Sequence, residues 1–175
     1  MVRVQVIPRI RDSLDYESWL NALDVVIPIV VNHLLGNNRI FINIPSDPRT
    51  VKRMLKMLKL LGFKVEIRRR KGCYYYQYLV IVREVKEPKD GLKYLIQFAP
   101  IIEVKVWLDF LLKLLTRQKA VIPPSDTSVL RRFTDWWMAI LELQEKGLIR
   151  IERKLIYCDD EMQECEYDYT IYIYP

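Results

Sequence analysis

The chain has few of the residues on which small enzymes and metal proteins depend. Its 175 residues include five glycines, three cysteines and one histidine. There is no glycine-rich phosphate loop and no nucleophile motif. The cysteines lack zinc-ligand spacing, and His33 has no ligand-spaced neighbour. The sequence therefore predicts a protein that is not an enzyme and that binds neither a cofactor nor a metal ion.

Long apolar runs are also missing. The longest, such as residues 25–31, are much shorter than the roughly 20 residues that cross a bilayer. The first residues alternate like a strand and lack a signal-peptide core. We therefore expect a cytoplasmic protein without a membrane partner. The few glycines and the many lysines, arginines, isoleucines and tyrosines resemble the composition of thermophilic proteins.

Acidic residues are almost absent from one segment. Residues 49–71 contain ten basic residues and one acid, Glu66, which gives a local charge of +9 in a chain of net charge +6. Residues 1–87 carry a net charge of +8 and residues 88–175 a net charge of −2. Residues 86–91 combine proline, glycine and charge, as linkers do. We expect two lobes, residues 1–87 and 88–175, with the positive charge confined to the first.

The periodicities predict an α+β fold. The first is a small mixed α/β lobe with a strand (2–6), a helix (14–35) capped by Ser13 and kinked or split by Pro28, a strand (39–44), a helix from Asp47–Pro48 to Gly62, and a basic β-hairpin. The second lobe has helices over residues 101–117 and from the 123–126 break to residue 146, and ends in a β-hairpin of residues 149–158 and 164–174. That order is winged-helix-like.

The helix after Asp47 is amphipathic. Its spacing predicts an inward face of Val51, Met54, Leu55, Leu58 and Leu61, and an outward basic face of Arg49, Lys52, Arg53, Lys56 and Lys59. Concentrated positive charge of this kind is what a nucleic-acid backbone requires. A basic helix face is also common as plain solvated surface, so the pattern alone does not decide between the two.

A tyrosine-rich segment follows the basic helix. A two-residue turn at Lys71–Gly72 would pair Arg70 with Cys73, Arg68 with Tyr75 and Glu66 with Gln77. One hairpin face would then combine arginines with Tyr75, the composition of a single-strand platform, and the other would face the core. The predicted nucleic-acid-binding residues are Arg49, Lys52, Arg53, Lys56, Lys59, Arg68, Arg69, Arg70, Lys71, Tyr74 and Tyr75.

The second lobe is less suited to DNA. The basic residues of its last helix are balanced by acids, and the hairpin tip carries Asp159, Asp160 and Glu161. Adjacent Trp136 and Trp137 point about 100° apart on the predicted helix, so two neighbouring surfaces are needed to bury both rings. The core of the lobe would cover one ring, and a homodimer contact would cover the other. Cys158 and Cys165 face each other across the hairpin and form a possible disulfide.

Two functions follow from these features. The first is a non-enzymatic nucleic-acid-binding protein whose partner is single-stranded DNA or RNA rather than duplex. The alternative is a protein–protein interaction or dimerisation module, such as a winged-helix-like adaptor or transcription regulator, whose basic face is merely solvated. A salt-dependent affinity for oligonucleotides separates the two.

Overall fold

The computed structural model describes residues 8–69, 77–118, 120–122, 130–161 and 164–173. These residues form a mixed α+β fold whose elements follow in the order α1 (Ser13–Leu34), β1 (Arg39–Asn43), α2 (Pro48–Leu60), β2 (Phe63–Arg69), β3 (Gln77–Val85), α3 (Asp90–Phe98), α4 (Ile102–Leu115), β4 (Ala120–Ile122), α5 (Leu130–Glu145), β5 (Ile149–Asp159) and β6 (Glu164–Ile173). The chain divides into a first unit, Met1–Asp109, and a second unit, Phe110–Pro175. The strand expected over residues 2–6 lies outside the described residues.

Helix α1 is the most buried element of the first unit. Its N-cap is Asp12 rather than Ser13, because the Asp12 carboxylate accepts a hydrogen bond from the Asp15 backbone N–H at 2.7 Å. The helix is not split at Pro28 and runs on to Leu34. Ile27 and Ile29, on either side of the proline, are fully buried. Packing on both sides therefore offsets the roughly 3 kcal/mol that an interior proline costs.

Helix α2 begins and ends where the sequence predicts. Asp47 is its N-cap, accepting from the Arg49 backbone N–H, and Pro48 occupies the first turn. The helix stops just before Gly62, which has a left-handed φ of +93°. Helices α1 and α2 pack against each other, α1 contacts β1, and α2 contacts β2.

The first sheet is antiparallel with the strand order β1-β3-β2. Its centre is Val80, which is fully buried and lies between Ile40 of β1 and Ile67 of β2. The expected turn at Lys71–Gly72 lies outside the described residues, but the pairing expected from it is wrong for Arg68 and Glu66. Instead, the last described pair of the hairpin joins Arg69 to Tyr78.

The physical reason for the register is the apolar run at residues 79–82. Placing this run in the middle of the sheet lets Val80 and Ile81 be buried between two neighbouring strands. A Lys–Gly pair is not among the strong two-residue turn signals, so burial determines the pairing instead. Arg68 therefore pairs with Leu79 and Glu66 with Ile81, four residues from the expected partners.

The segment expected to link two lobes belongs to the first unit. The Lys86 backbone N–H donates to the Gly62 carbonyl and the Lys89 N–H donates to the Leu60 carbonyl, both at 2.8 Å. Helix α3 then starts at Asp90 and contacts α2. The division between the units falls within α4, after Asp109, rather than after residue 87. Residues 88–109 contain three basic and three acidic residues, so the net charges remain +8 and −2.

The second unit has a sheet of strand order β4-β6-β5, with α5 contacting β5. The short strand β4, which the sequence did not indicate, pairs with β6 rather than with its neighbour in the chain. Trp136 of α5 is buried, as are Ile140 and Leu143 on the same side of the helix. Cys158 of β5 lies directly opposite Cys165 of β6, and a disulfide joins them across a Cα–Cα distance of 4.0 Å.

Candidate nucleic-acid interface

Three lysines form an exposed stripe on helix α2. Lys52, Lys56 and Lys59 all point to solvent, and at 100° per residue they lie within an arc of about 60°. The stripe is about 10 Å long, from seven residues at 1.5 Å each. None of the three makes an ion pair with another described residue. We call Lys52, Lys56 and Lys59 the lysine stripe.

The stripe is exposed because the opposite side of α2 is buried. Thr50, Met54, Met57 and Leu58 are the buried residues of the helix. The expected inward position of Leu55 is wrong. Leu55 is 42% exposed beside the lysines, and Met57 is buried instead. The buried arc is therefore rotated from the one that the sequence suggested, and this rotation brings Arg53 to its border.

Arg53 does not belong to the outward face, contrary to the sequence prediction. Its guanidinium reaches helix α1, where Nη2 lies 2.5 Å from an Asp15 carboxylate oxygen and Nη1 donates to the Ser18 hydroxyl. The guanidinium carbon also lies 4.4 Å from the centroid of the Trp19 ring. The Arg53 side chain is 20% exposed and that of Asp15 is 2% exposed. Arg53 therefore joins two helices, and its position leaves little surface for a ligand.

Arg49 is also engaged by acids. Its guanidinium lies 3.3 Å from Asp12 and 3.8 Å from Asp47, the N-cap residues of α1 and α2. These pairs are partly exposed, so each is weak and is screened by salt. Of the five basic residues predicted on the outward face, the structure thus leaves the three lysines without an acidic partner among the described residues.

The environment of Asp15 perturbs its acidity. Burial raises the pKa of Asp15, but the hydrogen bonds from Arg53 and the Arg11 backbone N–H, with the charges of Arg53 and Arg49, outweigh burial. The pKa of Asp15 in the folded protein is therefore below the ordinary aspartate value.

A lowered pKa makes stability depend on pH. The unfolded chain binds a proton to Asp15 more readily than the folded protein does. The contribution of ionised Asp15 to the free energy of unfolding is therefore complete above the unfolded pKa of about 4. It is lost as the pH falls through the lower pKa of the folded protein. We expect urea midpoints to fall between about pH 5 and pH 2 more steeply in the wild type than in Asp15→Asn. Asp160→Asn at the exposed hairpin tip is the control, and should keep the wild-type slope. If the urea midpoint falls with pH at the same rate in all three proteins, the pKa of Asp15 is not lowered by folding.

On the sheet, Arg68 pairs with Leu79 instead of Tyr75, and its guanidinium is held by an acid. Arg68 Nε donates to one Glu66 carboxylate oxygen at 2.7 Å, and Arg83 donates to the other. These hydrogen bonds lower the pKa of Glu66, and the one from Arg68 is the largest cause. Arg69 is exposed at the end of β2. The remaining predicted binding residues, Arg70, Lys71, Tyr74 and Tyr75, lie outside the described residues.

The sequence prediction missed one aromatic position. Phe41 of β1 is 56% exposed, although it sits in the middle of an apolar-looking strand. Arg39 and Asn43 are two residues away on either side and also exposed, so the three share one strand face. The available signal was the two-residue period of a strand, which places Ile40 and Ile42 on one face and Phe41 on the other with the polar Arg39 and Asn43.

No protein-family model, curated protein or solved structure matches the chain. Within the part of the chain that the structure describes, no helix is long and apolar enough to cross a membrane. No group of three histidine, cysteine, aspartate or glutamate side chains among the same residues could hold a metal ion. His33 Nδ1 lies 2.7 Å from the Asn38 side-chain oxygen, and the His33 ring contacts Phe63 edge-on at 5.2 Å.

Proposed function

We propose that this is a nucleic-acid-binding protein without enzymatic activity, and that its first unit binds the phosphates of single-stranded DNA or RNA. The observation that carries the proposal is the lysine stripe. Its three cations are exposed on one side of a well-capped helix and have no acidic partner among the described residues. Lysines in this state can neutralise phosphates, and the release of the cations that the phosphates held favours binding.

The charge distribution supports placing the interface in the first unit. That unit carries +8 and the second −2, so long-range attraction of a polyanion favours the first. Single strands are favoured over duplex because rings accompany the cations. Tyr74 and Tyr75 follow Lys71 by three and four residues in the sequence, and tyrosine rings bind unpaired bases by stacking where solvent reaches them.

For the second unit we propose a winged-helix-like arrangement. The order of helix, short strand, helix and two-stranded hairpin, with the short strand paired to the last, supports this assignment. The hairpin tip, which would be the wing, carries Asp159, Asp160 and Glu161. Because these acids would repel phosphate, a protein partner or a second copy of the chain is the more suitable ligand of this unit.

Removing the lysine stripe tests the proposed function. We expect the triple variant Lys52→Ala, Lys56→Ala, Lys59→Ala to bind oligonucleotides more weakly and with a lower salt dependence. The slope of log K against log salt concentration should fall by about 0.7 for each phosphate of the single strand that a lysine no longer neutralises. The measurement is a fluorescence titration of a labelled oligonucleotide at several salt concentrations.

A control triple separates a specific stripe from net charge. Lys86→Ala, Lys89→Ala, Lys93→Ala removes the same charge from exposed positions at and after the end of β3. The control protein should keep the wild-type slope. If both triples weaken binding equally, the lysine stripe is ordinary solvated surface. A defined dimer in light scattering, together with no oligonucleotide affinity in the titration, would favour the interaction module instead.

A further inference from the structure

Strand β5 lies at the edge of the second sheet. It has 11 residues, about twice the usual strand length, and among the described residues it pairs with β6 alone. The Ile151 backbone N–H donates to the Gln144 side-chain oxygen of α5 at 3.0 Å, so it points away from β6. Because backbone groups alternate in direction along a strand, those of Arg153 and Leu155 point to the same edge. A row of such groups is a template for another strand.

The edge strand carries exposed apolar side chains on both faces of the sheet. Leu155 and Tyr157 are 53% and 60% exposed. A bulge lies between them, so that Leu155 pairs with Tyr167 and Tyr157 pairs with Glu166. The two partners are consecutive in β6, and Leu155 and Tyr157 therefore lie on opposite faces. A strand placed alongside β5 would cover apolar area on both faces, in addition to pairing the backbone.

The charges along β5 have opposite signs at its two ends. Arg153 and Lys154 precede the exposed apolar residues, and Asp159, Asp160 and Glu161 follow them. A second copy of β5 laid antiparallel would bring the basic end of each copy to the acidic end of the other, whereas a parallel copy would bring like charges together. A two-fold axis gives the antiparallel arrangement and repeats each favourable contact twice. The edge is therefore complementary to itself.

The net charge of the second unit allows two copies of it to approach each other. Residues 110–175 include nine basic and eleven acidic residues, a net charge of −2. Repulsion between two such units is small. The first unit, at +8, would repel a second copy of itself much more strongly. Electrostatics thus favours self-association through the second unit.

We propose that a second copy of this chain binds at the edge of β5, and that the two β5 strands pair antiparallel about a two-fold axis. The pairing would join the two copies of the second sheet into one. The proposal rests on the assignment of a protein ligand to the second unit made above, and names that ligand. It does not depend on nucleic-acid binding by the first unit. Such a dimer carries two lysine stripes, which raises its avidity for a strand long enough to reach both.

Light scattering over a range of protein concentrations, without nucleic acid, tests the pairing. We expect the wild type to reach twice the mass of one chain. Leu155→Pro removes an N–H that points to the edge, a position where a strand tolerates proline. Each of the two copies then loses one hydrogen bond, so we expect the dissociation constant to rise about 5- to 150-fold. Far-UV circular dichroism and an intact Cys158–Cys165 disulfide establish that the variant is folded.

A matched pair of lysine substitutions locates the interface. Leu155→Lys and Met138→Lys each replace an exposed apolar residue of the second unit, 53% and 57% exposed, but Met138 lies on helix α5. We expect Leu155→Lys to shift the protein to the monomer, because a charge on an edge strand opposes pairing. Met138→Lys should remain as dimeric as the wild type. Leu155→Lys keeps the backbone N–H, so it tests the edge even if the proline variant does not fold.

Charge reversal tests the antiparallel orientation. Lys154→Glu and Glu161→Lys should each weaken self-association, because like charges then face each other at both ends of the paired strands. An equimolar mixture of the two variants should associate again, since each reversed end meets the opposite charge on the other chain.

The outcomes separate this interface from the function proposed above. A wild type that stays monomeric at all concentrations would overturn the dimer and leave the nucleic-acid binding, which the oligonucleotide titration measures, untouched. A dimer that survives both substitutions of Leu155, or that dissociates only in Met138→Lys, would overturn the pairing through β5. Mixed charge variants that fail to associate would exclude the antiparallel orientation. A wild-type dimer without affinity for oligonucleotides would support this interface and refute the function proposed for the first unit.

Discussion

Replacing Arg53 by alanine is expected to lower the free energy of unfolding by about 3–5 kcal/mol. The variant leaves the Asp15 carboxylate, which is 2% exposed, buried without its guanidinium partner, and removal of one member of a buried ion pair typically costs this much. The same change removes the guanidinium from the Ser18 hydroxyl and from the Trp19 ring. Chemical denaturation at neutral pH measures the effect.

Lys52→Ala is the control for Arg53→Ala. The two residues are adjacent on α2, but Lys52 is exposed and belongs to the lysine stripe. Its removal should change stability by no more than about 0.5 kcal/mol. The two variants should also differ in binding, because Lys52→Ala weakens oligonucleotide affinity while folded Arg53→Ala retains it. Equal stability losses would mean that the Arg53–Asp15 pair does not join the helices.

Gly62→Ala should lower the free energy of unfolding by about 2–5 kcal/mol. Gly62 has a φ of +93°, where a side chain costs about 1–2 kcal/mol. An added Cβ would also lie 2.1 Å from the Lys86 carbonyl oxygen, an overlap of the kind that typically costs about 1–3 kcal/mol more. The backbone has little freedom to move away, because the Lys86 N–H donates to the Gly62 carbonyl at 2.8 Å.

Gly36→Ala separates the two contributions. Gly36 has a similar φ of +86°, and a Cβ there would meet no atom within 4 Å. Its replacement should cost only the backbone strain, about 1–2 kcal/mol. Thermal or chemical unfolding of both variants gives the comparison. If Gly36→Ala proves as destabilising as Gly62→Ala, then the close approach to Lys86 contributes nothing.

The features predicted well from the sequence are those set by neighbouring residues. Asp47 and Pro48 begin α2 and Gly62 ends it, because a cap and a left-handed glycine act within one helical turn. The exposure of Lys52, Lys56 and Lys59 follows from the same helical period. Helix α3 was missed for a related reason, since the Pro–Gly signal at residues 88–91 resembles a linker and marks the start of a helix instead.

The errors concern contacts between distant parts of the chain. Arg53 looks like its lysine neighbours in the sequence, and only Asp15, 38 residues earlier, draws it into the helix interface. The pairing of Arg68 depends on burying Val80 between two strands, and one of these, β1, was not expected beside β3. Consequently, the local charge of +9 overstates what a ligand meets, because Arg49, Arg53 and Arg68 already have acidic partners.

The disulfide between Cys158 and Cys165 encloses the tip of the last hairpin in a small covalent ring. Exposed loop tips such as Asp160–Glu161 are preferred sites of proteolytic cleavage. A peptide bond cut inside the ring releases nothing, because the two halves stay joined through sulfur. Such a nicked chain would migrate as one band on a non-reducing gel and as two after thiol reduction, while β5 and β6 kept their pairing in solution.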